Sequence, residues 1–156
     1  MEPFENLVQR HGEAVMRVCR GLLGPHDAED AWAETFLTAL RAHPLVGVRD
    51  ERAWLLTVAH RRAVDLVRSR SRTVPVAEPP ETVAAERADA RDLDLWAALA
   101  RLTERQRAAV VHHHLGGLGY REIAEMLGGT PSAARRAAAD GVAALRRMLG
   151  AEGGGR

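Results

Sequence analysis

The sequence predicts an all-α protein made of two small helical domains joined by a flexible acidic linker. Apolar residues recur at the three-and-four spacing of a buried helix face on both sides of the centre of the chain. Between them, the stretch RTVPVAEPPETVAAERADAR breaks that spacing with prolines and acids, and no alternating strand pattern occurs. We therefore expect a first domain at residues 1–72, a linker at 73–91, a second domain at 92–150 and a disordered tail at 151–156.

The first domain is expected to be a bundle of three to four helices. GLLGP ends the first helix, Asp27 is the predicted N-cap of the second, and Asp50 is the predicted N-cap of a third that covers ERAWLLTVAHRRAVDLVRSRSR. The predicted inward residues of the first helix are Phe4, Leu7, Val8, Val15, Val18 and Leu22. Those of the second are Ala28, Trp32, Phe36 and Ala39 or Leu40, with Glu29, Asp30 and Glu34 on other faces. Those of the third are Leu55, Leu56, Ala59, Ala63, Leu66 and Val67.

The second domain carries the pattern of a helix-turn-helix. Thr103 lies three residues before Gln106, the spacing of a capping box, and opens a helix that we expect to run to about Leu115. GGLG turns the chain into the short helix YREIAEML, whose predicted inward residues are Ile123, Ala124 and Leu127. After a second glycine turn, Thr130 and Pro131 resemble the N-cap and first residue of a last helix. Two such helices joined by a tight glycine turn are the motif whose second helix enters a DNA major groove.

The net charge of +1 conceals blocks of opposite sign. Residues 61–72 carry five Arg and one Asp (+4), residues 73–94 carry two Arg and six acids (−4), and residues 95–150 carry eight Arg and four acids (+4). All 22 basic residues are arginine, which we attribute to codon bias more than to selection for bidentate contacts. Two basic segments on either side of an acidic one are a pattern that a nucleic-acid-binding or partner-binding protein needs.

Several classes of protein are excluded by composition. The single cysteine, Cys19, cannot form an internal disulfide, and its place on an apolar helix face favours a small buried hydrophobe over a nucleophile. The opening MEPFENL is not signal-like, and no apolar run reaches the roughly 18 residues of a membrane span. No phosphate loop, nucleophile elbow or paired-carboxylate motif follows a strand. We expect a cytoplasmic protein that does not insert into a membrane, is not an enzyme and needs no cofactor.

Three consecutive histidines, His112, His113 and His114, precede the first glycine turn. They suggest a metal site, but neighbouring residues on a helix point about 100° apart, so the three cannot meet one ion. No His, Cys, Asp or Glu lies four residues to either side of any of them. We predict no metal site, with one histidine packed inward and the other two facing solvent.

Arginines gather toward the end of the third helix, and two interpretations of them remain open. The run Arg61, Arg62, Arg68, Arg70 and Arg72 is either a solvated helix end that complements the helix dipole or a surface for nucleic acid. Trp54, near the start of that helix, is either a core residue or an exposed aromatic that stacks on an unpaired base. With the helix-turn-helix, both single-strand and duplex recognition are plausible in one chain.

Two segments resemble a known family. DAEDAWAETFLTALRAHP followed by ERAWLLTVAHRRAVDLVRSRSR resembles region 2 of the extracytoplasmic-function (ECF) sigma factors, and LWAALARLTERQRAAVVHHHLGGLGYREIAEMLG resembles their region 4. The resemblance covers almost the whole chain in the right order. It implies a protein that binds core RNA polymerase through the beta-prime and beta subunits, melts the minus-10 element with region 2 and binds the minus-35 duplex with region 4. It also implies an anti-sigma partner.

The resemblance also assigns residues to three surfaces. The polymerase-binding helix would carry Asp30, Glu34, Thr35, Phe36 and Leu37. The minus-10 segment would carry Trp54, His60, Arg61, Arg62, Asp65 and Arg68, which hold flipped single-stranded bases. The minus-35 contacts would come from Tyr120, Arg121, Thr130, Ser132, Arg135 and Arg136, with Glu122 beside the first two at the start of the helix-turn-helix.

The chain departs from the family pattern at several positions. Ala33 stands where the family often has Gln, and Arg61 where it often has Asn. In the last helix the family commonly shows TVKSRLHRA and this chain reads AARRAAADG; the replaced positions are Ala137, Ala138, Asp140 and Gly141. A mid-helix Gly costs about 1 kcal/mol against Ala, and Leu replaced by Ala loses packing. We expect weaker or differently specific binding of the minus-35 duplex, or a region 4 that a protein partner stabilises.

The alternative function is a sigma-like regulator whose region 4 mainly binds a protein partner.

Overall fold

The computed structural model describes residues 2–72 and 90–153, which form seven α-helices and one π-helical turn, with no strand in those ranges. The helices are α1 (Phe4–Leu23), α2 (Pro25–Ala42), α3 (Glu51–Arg72), α4 (Ala90–Ala100), α5 (Glu104–Val110), α6 (Tyr120–Leu127) and α7 (Pro131–Gly153), with the π-helical turn at Val111–Leu115. The chain divides into two compact units, Met1–Ala88 and Asp89–Arg156. The all-α prediction is confirmed for these residues. Most of the predicted linker lies outside them, and α4 begins two residues before the expected start of the second domain.

Unit 1 is a bundle in which each of α1, α2 and α3 packs against the other two. The predicted three-and-four stripes supply most of its core. Its buried residues include Leu7, Val15, Val18, Ala28, Phe36, Ala39, Leu55, Leu56, Ala59 and Ala63. Of the alternatives Ala39 and Leu40, Ala39 is the buried one and Leu40 is 51% exposed, whereas Val67, which was expected inward, is 47% exposed.

The starts of α2 and α3 follow different rules. Asp50 caps α3 as predicted, because its Oδ1 accepts from the Ala53 amide at 3.1 Å. The predicted cap at Asp27 is wrong: α2 begins at Pro25, with Gly24 at φ +80° as its N-cap. Proline suits the first helical position because its missing N–H would have no partner there. Asp27 lies in the first turn instead, where its charge favours the helix N-terminus.

Cys19 is fully buried on α1, which confirms the small-hydrophobe prediction. Burial raises the pKa of its thiol to about 12, because the apolar core disfavours a thiolate. The nucleophilic form is therefore almost absent in the folded protein at neutral pH.

We expect Ellman's reagent to modify Cys19 very slowly in the native chain and rapidly in urea. The native rate should show no titration near pH 8.5, the usual range for a free thiol, because the folded-state pKa is far above it. The measurement is absorbance at neutral and mildly alkaline pH. Rapid native labelling that follows a pKa near 8.5 would contradict this burial.

Unit 2 is built on α7, which packs against α4, α5 and α6. The capping box of α5 is confirmed: Thr103 Oγ1 accepts from the Gln106 amide at 3.2 Å, and the Gln106 side chain accepts from the Thr103 amide at 3.3 Å. The expected helix to Leu115 is present, but its last five residues wind as a π-helix. The buried residues of the unit include Ala98, Leu99, Leu102, Ala108, Ala109, Val111, His112, Leu118, Ile123, Ala134 and Ala138.

Arg107 joins α5 to the end of α4. Its guanidinium donates to three carbonyl oxygens there, those of Leu99 (2.9 Å), Ala100 (3.0 Å) and Leu102 (3.0 Å). The last carbonyls of a helix have no partner within the helix, so a cation that binds them stabilises its end. Partial burial lowers the pKa of Arg107, but its side chain remains charged at neutral pH.

The last helix is longer than expected. It continues to Gly153, three residues into the segment predicted as a disordered tail, of which 154–156 lie outside the described residues. Among the residues that the structure describes, no helix is long and apolar enough to cross a membrane.

Candidate functional site

The predicted polymerase-binding residues of α2 do not share one environment. Asp30 and Leu37 are exposed, and Glu34 is half-buried on the outer side of the helix. Thr35 and Phe36 lie in the core instead, and the Thr35 hydroxyl donates to the Ala31 carbonyl at 2.7 Å. We call Asp30, Glu34 and Leu37 the docking face, after the role predicted for them, and leave out Thr35 and Phe36 because their side chains are buried.

Two ion pairs connect α2 to the basic helix α3. Arg62 Nη2 lies 2.9 Å from Asp30 Oδ2, and Arg70 pairs with Asp27. The Asp30 side chain is 55% exposed and that of Arg62 is 35% exposed, so this pair is solvated. Pairs of this kind contribute about 0–1 kcal/mol, and either partner exchanges readily for an external one.

The predicted minus-10 residues of α3 form a largely solvent-accessible strip. Trp54, Arg61, Asp65 and Arg68 follow one another at spacings of seven, four and three, so they share one side of the helix. Arg61, Asp65 and Arg68 are exposed, and Trp54, His60 and Arg62 are half-buried. We call these six residues the α3 strip; it combines arginines with one partly accessible aromatic side chain.

The turn of the helix-turn-helix depends on two glycines and an arginine from α5. Gly128 and Gly129 have φ of +85° and +93°, a conformation that disfavours any side chain. Arg105 Nη2 donates to the Gly128 carbonyl at 2.6 Å, and a Cβ on Gly129 would come within 2.7 Å of the same nitrogen. The two glycines therefore permit the backbone conformation of the turn and leave room for the Arg105 side chain that hydrogen-bonds to it.

The first turn of α7 presents the predicted recognition residues. Thr130 caps the helix as expected, since its Oγ1 accepts from the Ala133 amide at 3.1 Å, and Pro131 is the first helical residue. Ser132, Arg135 and Arg136 are exposed. A capped helix start with exposed hydroxyl and guanidinium groups is chemically suited to phosphate and base-edge contacts.

The start of α6 provides the other predicted duplex contacts. Arg121 is exposed and pairs weakly with Glu125 at 3.8 Å on the same helix. Tyr120 is half-buried, with its ring stacked on that of His113 and the Arg135 guanidinium over it. The resemblance did not assign His113 a role, and its contact with Tyr120 across the glycine turn is visible only in the structure.

The three histidines have three environments. His112 is fully buried, His113 is half-buried and His114 is exposed. One histidine is therefore packed inward as predicted, but only one of the other two is exposed. Burial and the neighbouring His113 lower the pKa of His114. In the described part of the chain, no group of three or more His, Cys, Asp and Glu residues could hold a metal ion.

The fold and these surfaces define a helical protein with an acidic and apolar face on α2, a basic helix α3 and a helix-turn-helix. Residues 7–73 match the family described as Sigma-70 region 2, and residues 92–145 match Sigma-70, region 4. The chain belongs to the sigma-70 family, in the group of ECF RNA polymerase sigma factors.

Curated relatives and solved structures agree with this family. ECF RNA polymerase sigma factor SigE of Mycolicibacterium smegmatis is 34% identical over 142 residues, which are 82% of this chain and 54% of SigE. RNA polymerase sigma factor CarQ of Myxococcus xanthus is 32% identical over 158 residues, covering 96% of this chain and 90% of CarQ. The chain thus spans about half the length of SigE. CnrH, solved in complex with the cytosolic domain of CnrY, is 25% identical with a TM-score of 0.71, covering 95% of this chain and 88% of CnrH.

Proposed function

We propose that this protein is an alternative sigma factor that binds core RNA polymerase and directs promoter-specific initiation of transcription. The docking face would contact the beta-prime subunit, α3 would capture minus-10 bases, and the first turns of α6 and α7 would contact the minus-35 duplex. The protein would act in the cytoplasm, as a transcription factor without a cofactor of its own. The family implies polymerase and promoter binding for regions 2 and 4, and the proposal assigns both activities to this chain.

The observation that carries the proposal is the Asp30–Arg62 pair across α2 and α3. It joins an acidic residue of α2 to an arginine of the α3 strip within one folded unit. A protein that brings polymerase to melted DNA needs a surface of each kind close together. Since this ion pair is solvated and weak, it would separate readily, and core polymerase would then bind Asp30 while DNA binds Arg62.

The direct test is co-purification with core RNA polymerase at modest salt, followed by run-off transcription from a pool of genomic fragments. We expect a stable complex and transcripts with discrete start sites that core polymerase alone does not make. The salt must be modest because an electrostatic complex weakens as ionic strength rises. Failure to bind core under these conditions would overturn the proposal.

A second candidate function is that of a sigma-like regulator in which unit 2 mainly binds a protein. It is favoured by the middle of α7, where the exposed surface includes Ala139 and the acid Asp140 in place of further basic residues. Such a partner would have precedent in CnrH, whose structure contains the cytosolic domain of CnrY. We propose an anti-sigma partner of this general kind for the present chain, under either function.

Duplex binding separates the two functions. Arg135→Ala and Arg136→Ala should each weaken binding of the full chain to a selected duplex and lower its salt dependence by about one counterion per lost phosphate contact. Arg146→Ala removes the same charge from an exposed position further along α7 and is the matched control. Equal affinities for all three variants and the parent would favour the protein-binding function.

A further inference from the structure

His113 is held in a defined orientation by the turn that precedes the helix-turn-helix. Its Nδ1 lies 2.8 Å from the Leu118 carbonyl oxygen. A carbonyl only accepts, so Nδ1 carries the proton and donates it. The chain reverses here at Gly117, whose φ is +76°, while the Leu118 amide donates to the His112 carbonyl at 3.0 Å. The imidazole is therefore anchored to the backbone of the turn rather than free to change rotamer.

The anchored imidazole supports Tyr120. The two ring centroids are 4.2 Å apart and the ring planes differ by 17°, which is a stacked arrangement. Stacked aromatic pairs contribute beyond the area that they bury, and here the stack opposes rotation of the tyrosine about χ1. Tyr120 is the first residue of α6, so the stack joins the π-helical turn to the start of the helix-turn-helix.

Tyr120 in turn supports Arg135. The Arg135 Cζ lies 5.3 Å from the centroid of the tyrosine ring, within the range of a cation–π contact. Arg135 is otherwise exposed, and a free arginine side chain samples many rotamers. A guanidinium held over a ring loses fewer rotamers when it binds, so less affinity is lost to ordering.

We propose that His113 is a positioning residue for DNA recognition: through Tyr120 it holds the Arg135 guanidinium in place at the first turns of α7. This inference rests on the proposed function, because it assigns Arg135 to a duplex. His113 need not touch DNA. It precedes the recognition helix α7 in the chain, and its effect on Arg135 passes through its contact with Tyr120 and the contact of Tyr120 with Arg135.

The test is a double-mutant cycle between positions 113 and 135 in the full chain. The probe is the duplex that the parent chain enriches most strongly from a randomised pool. His113→Gln removes the ring and should weaken binding about fivefold, as should Tyr120→Leu, whereas Tyr120→Phe keeps the ring face and should retain the support of Arg135. In an Arg135→Ala background, His113→Gln should cause no further loss. His26→Gln, the same substitution at an exposed histidine of unit 1, is the control and should bind as the parent does.

A second readout does not depend on DNA. In the parent chain the tyrosine ring should shift the side-chain Nε–H resonance of Arg135 away from its random-coil position, and His113→Gln or Tyr120→Leu should return it there. His113→Phe, which keeps a ring without the anchor, should give an intermediate shift.

The two readouts distinguish failure of the inference from failure of the proposed function. If the parent enriches no duplex but the resonance responds as described, duplex recognition is wrong and the side-chain support stands. An Arg135 resonance at its random-coil position in the parent, or one that His113→Gln leaves unchanged, overturns the inference. So does a loss of affinity from His113→Gln that is equally large in the Arg135→Ala background, because a general structural role would produce it.

Discussion

Gly141→Leu is expected to unfold unit 2, and even Gly141→Ala should destabilise it by about 1–2 kcal/mol. A Cβ at this position would lie 2.6 Å from Val110 Cγ2 and 3.3 Å from the Gln106 carbonyl oxygen. Overpacking of this kind costs about 1–3 kcal/mol, more than the gain of up to about 1 kcal/mol from replacing a helical glycine. Valine has one strongly preferred rotamer in a helix, so Val110 cannot easily turn away.

Gly150 provides the matched control on the same helix. It is exposed, and a Cβ there would have no neighbour within 4 Å. Gly150→Ala should therefore stabilise α7 by up to about 1 kcal/mol. Gly141→Ala combined with Val110→Ala should be more stable than the sum of the two single changes predicts, because the clashing methyl is gone.

Hydrogen exchange measured on peptides from each unit is the suitable readout, with unit 1 as an internal reference. Gly141→Leu should abolish protection in unit 2 alone. If Gly141→Ala proves as stabilising as Gly150→Ala, then α5 and α7 do not approach as closely as this structure shows.

Leu37→Arg is expected to weaken binding to core RNA polymerase about tenfold or more without lowering thermal stability. Leu37 is 43% exposed beside Asp30 and Glu34, so a larger polar side chain fits without disturbing the core. Because the docking face carries the acids Asp30 and Glu34, we expect its partner surface to be basic, and like charges placed together across an interface cost several kcal/mol. The measurement is the affinity for core polymerase at two salt concentrations, since salt should reduce the repulsion.

Two further variants separate charge from shape in this prediction. Leu37→Glu adds a side chain of comparable polarity but the opposite sign and should lose less affinity than Leu37→Arg. Val46→Arg changes an apolar residue that is 87% exposed, in the loop between α2 and α3 and outside the docking face. It should bind normally. Equal losses from Leu37→Arg and Leu37→Glu would show that the partner surface is not basic.

The candidate surfaces were predictable to different degrees. The caps at Asp50, Thr103 and Thr130 could be read directly, because each depends on a side chain and a backbone amide three residues apart. The predicted start of α2 at Asp27 is wrong because an acid in the first turn of a helix resembles an N-cap in sequence, whereas the proline two residues earlier begins the helix. Family resemblance marked Phe36 for docking by position alone, whereas its direction depends on the packing of α2 against α1 and α3.

By itself, the sequence determined that this protein is helical, that it has two units and that the second contains a helix-turn-helix. Those properties follow from periodicity, caps and glycine turns, which act over a few residues. Only the tertiary structure decided the role of Gly141, which local propensity marks as a weakness and close packing against α5 makes necessary. It also decided that His113 stacks on Tyr120. The first depends on the approach of α7 to α5, and the second on how the glycine turn brings the π-helical turn against α6, so both are set by packing rather than by local pattern.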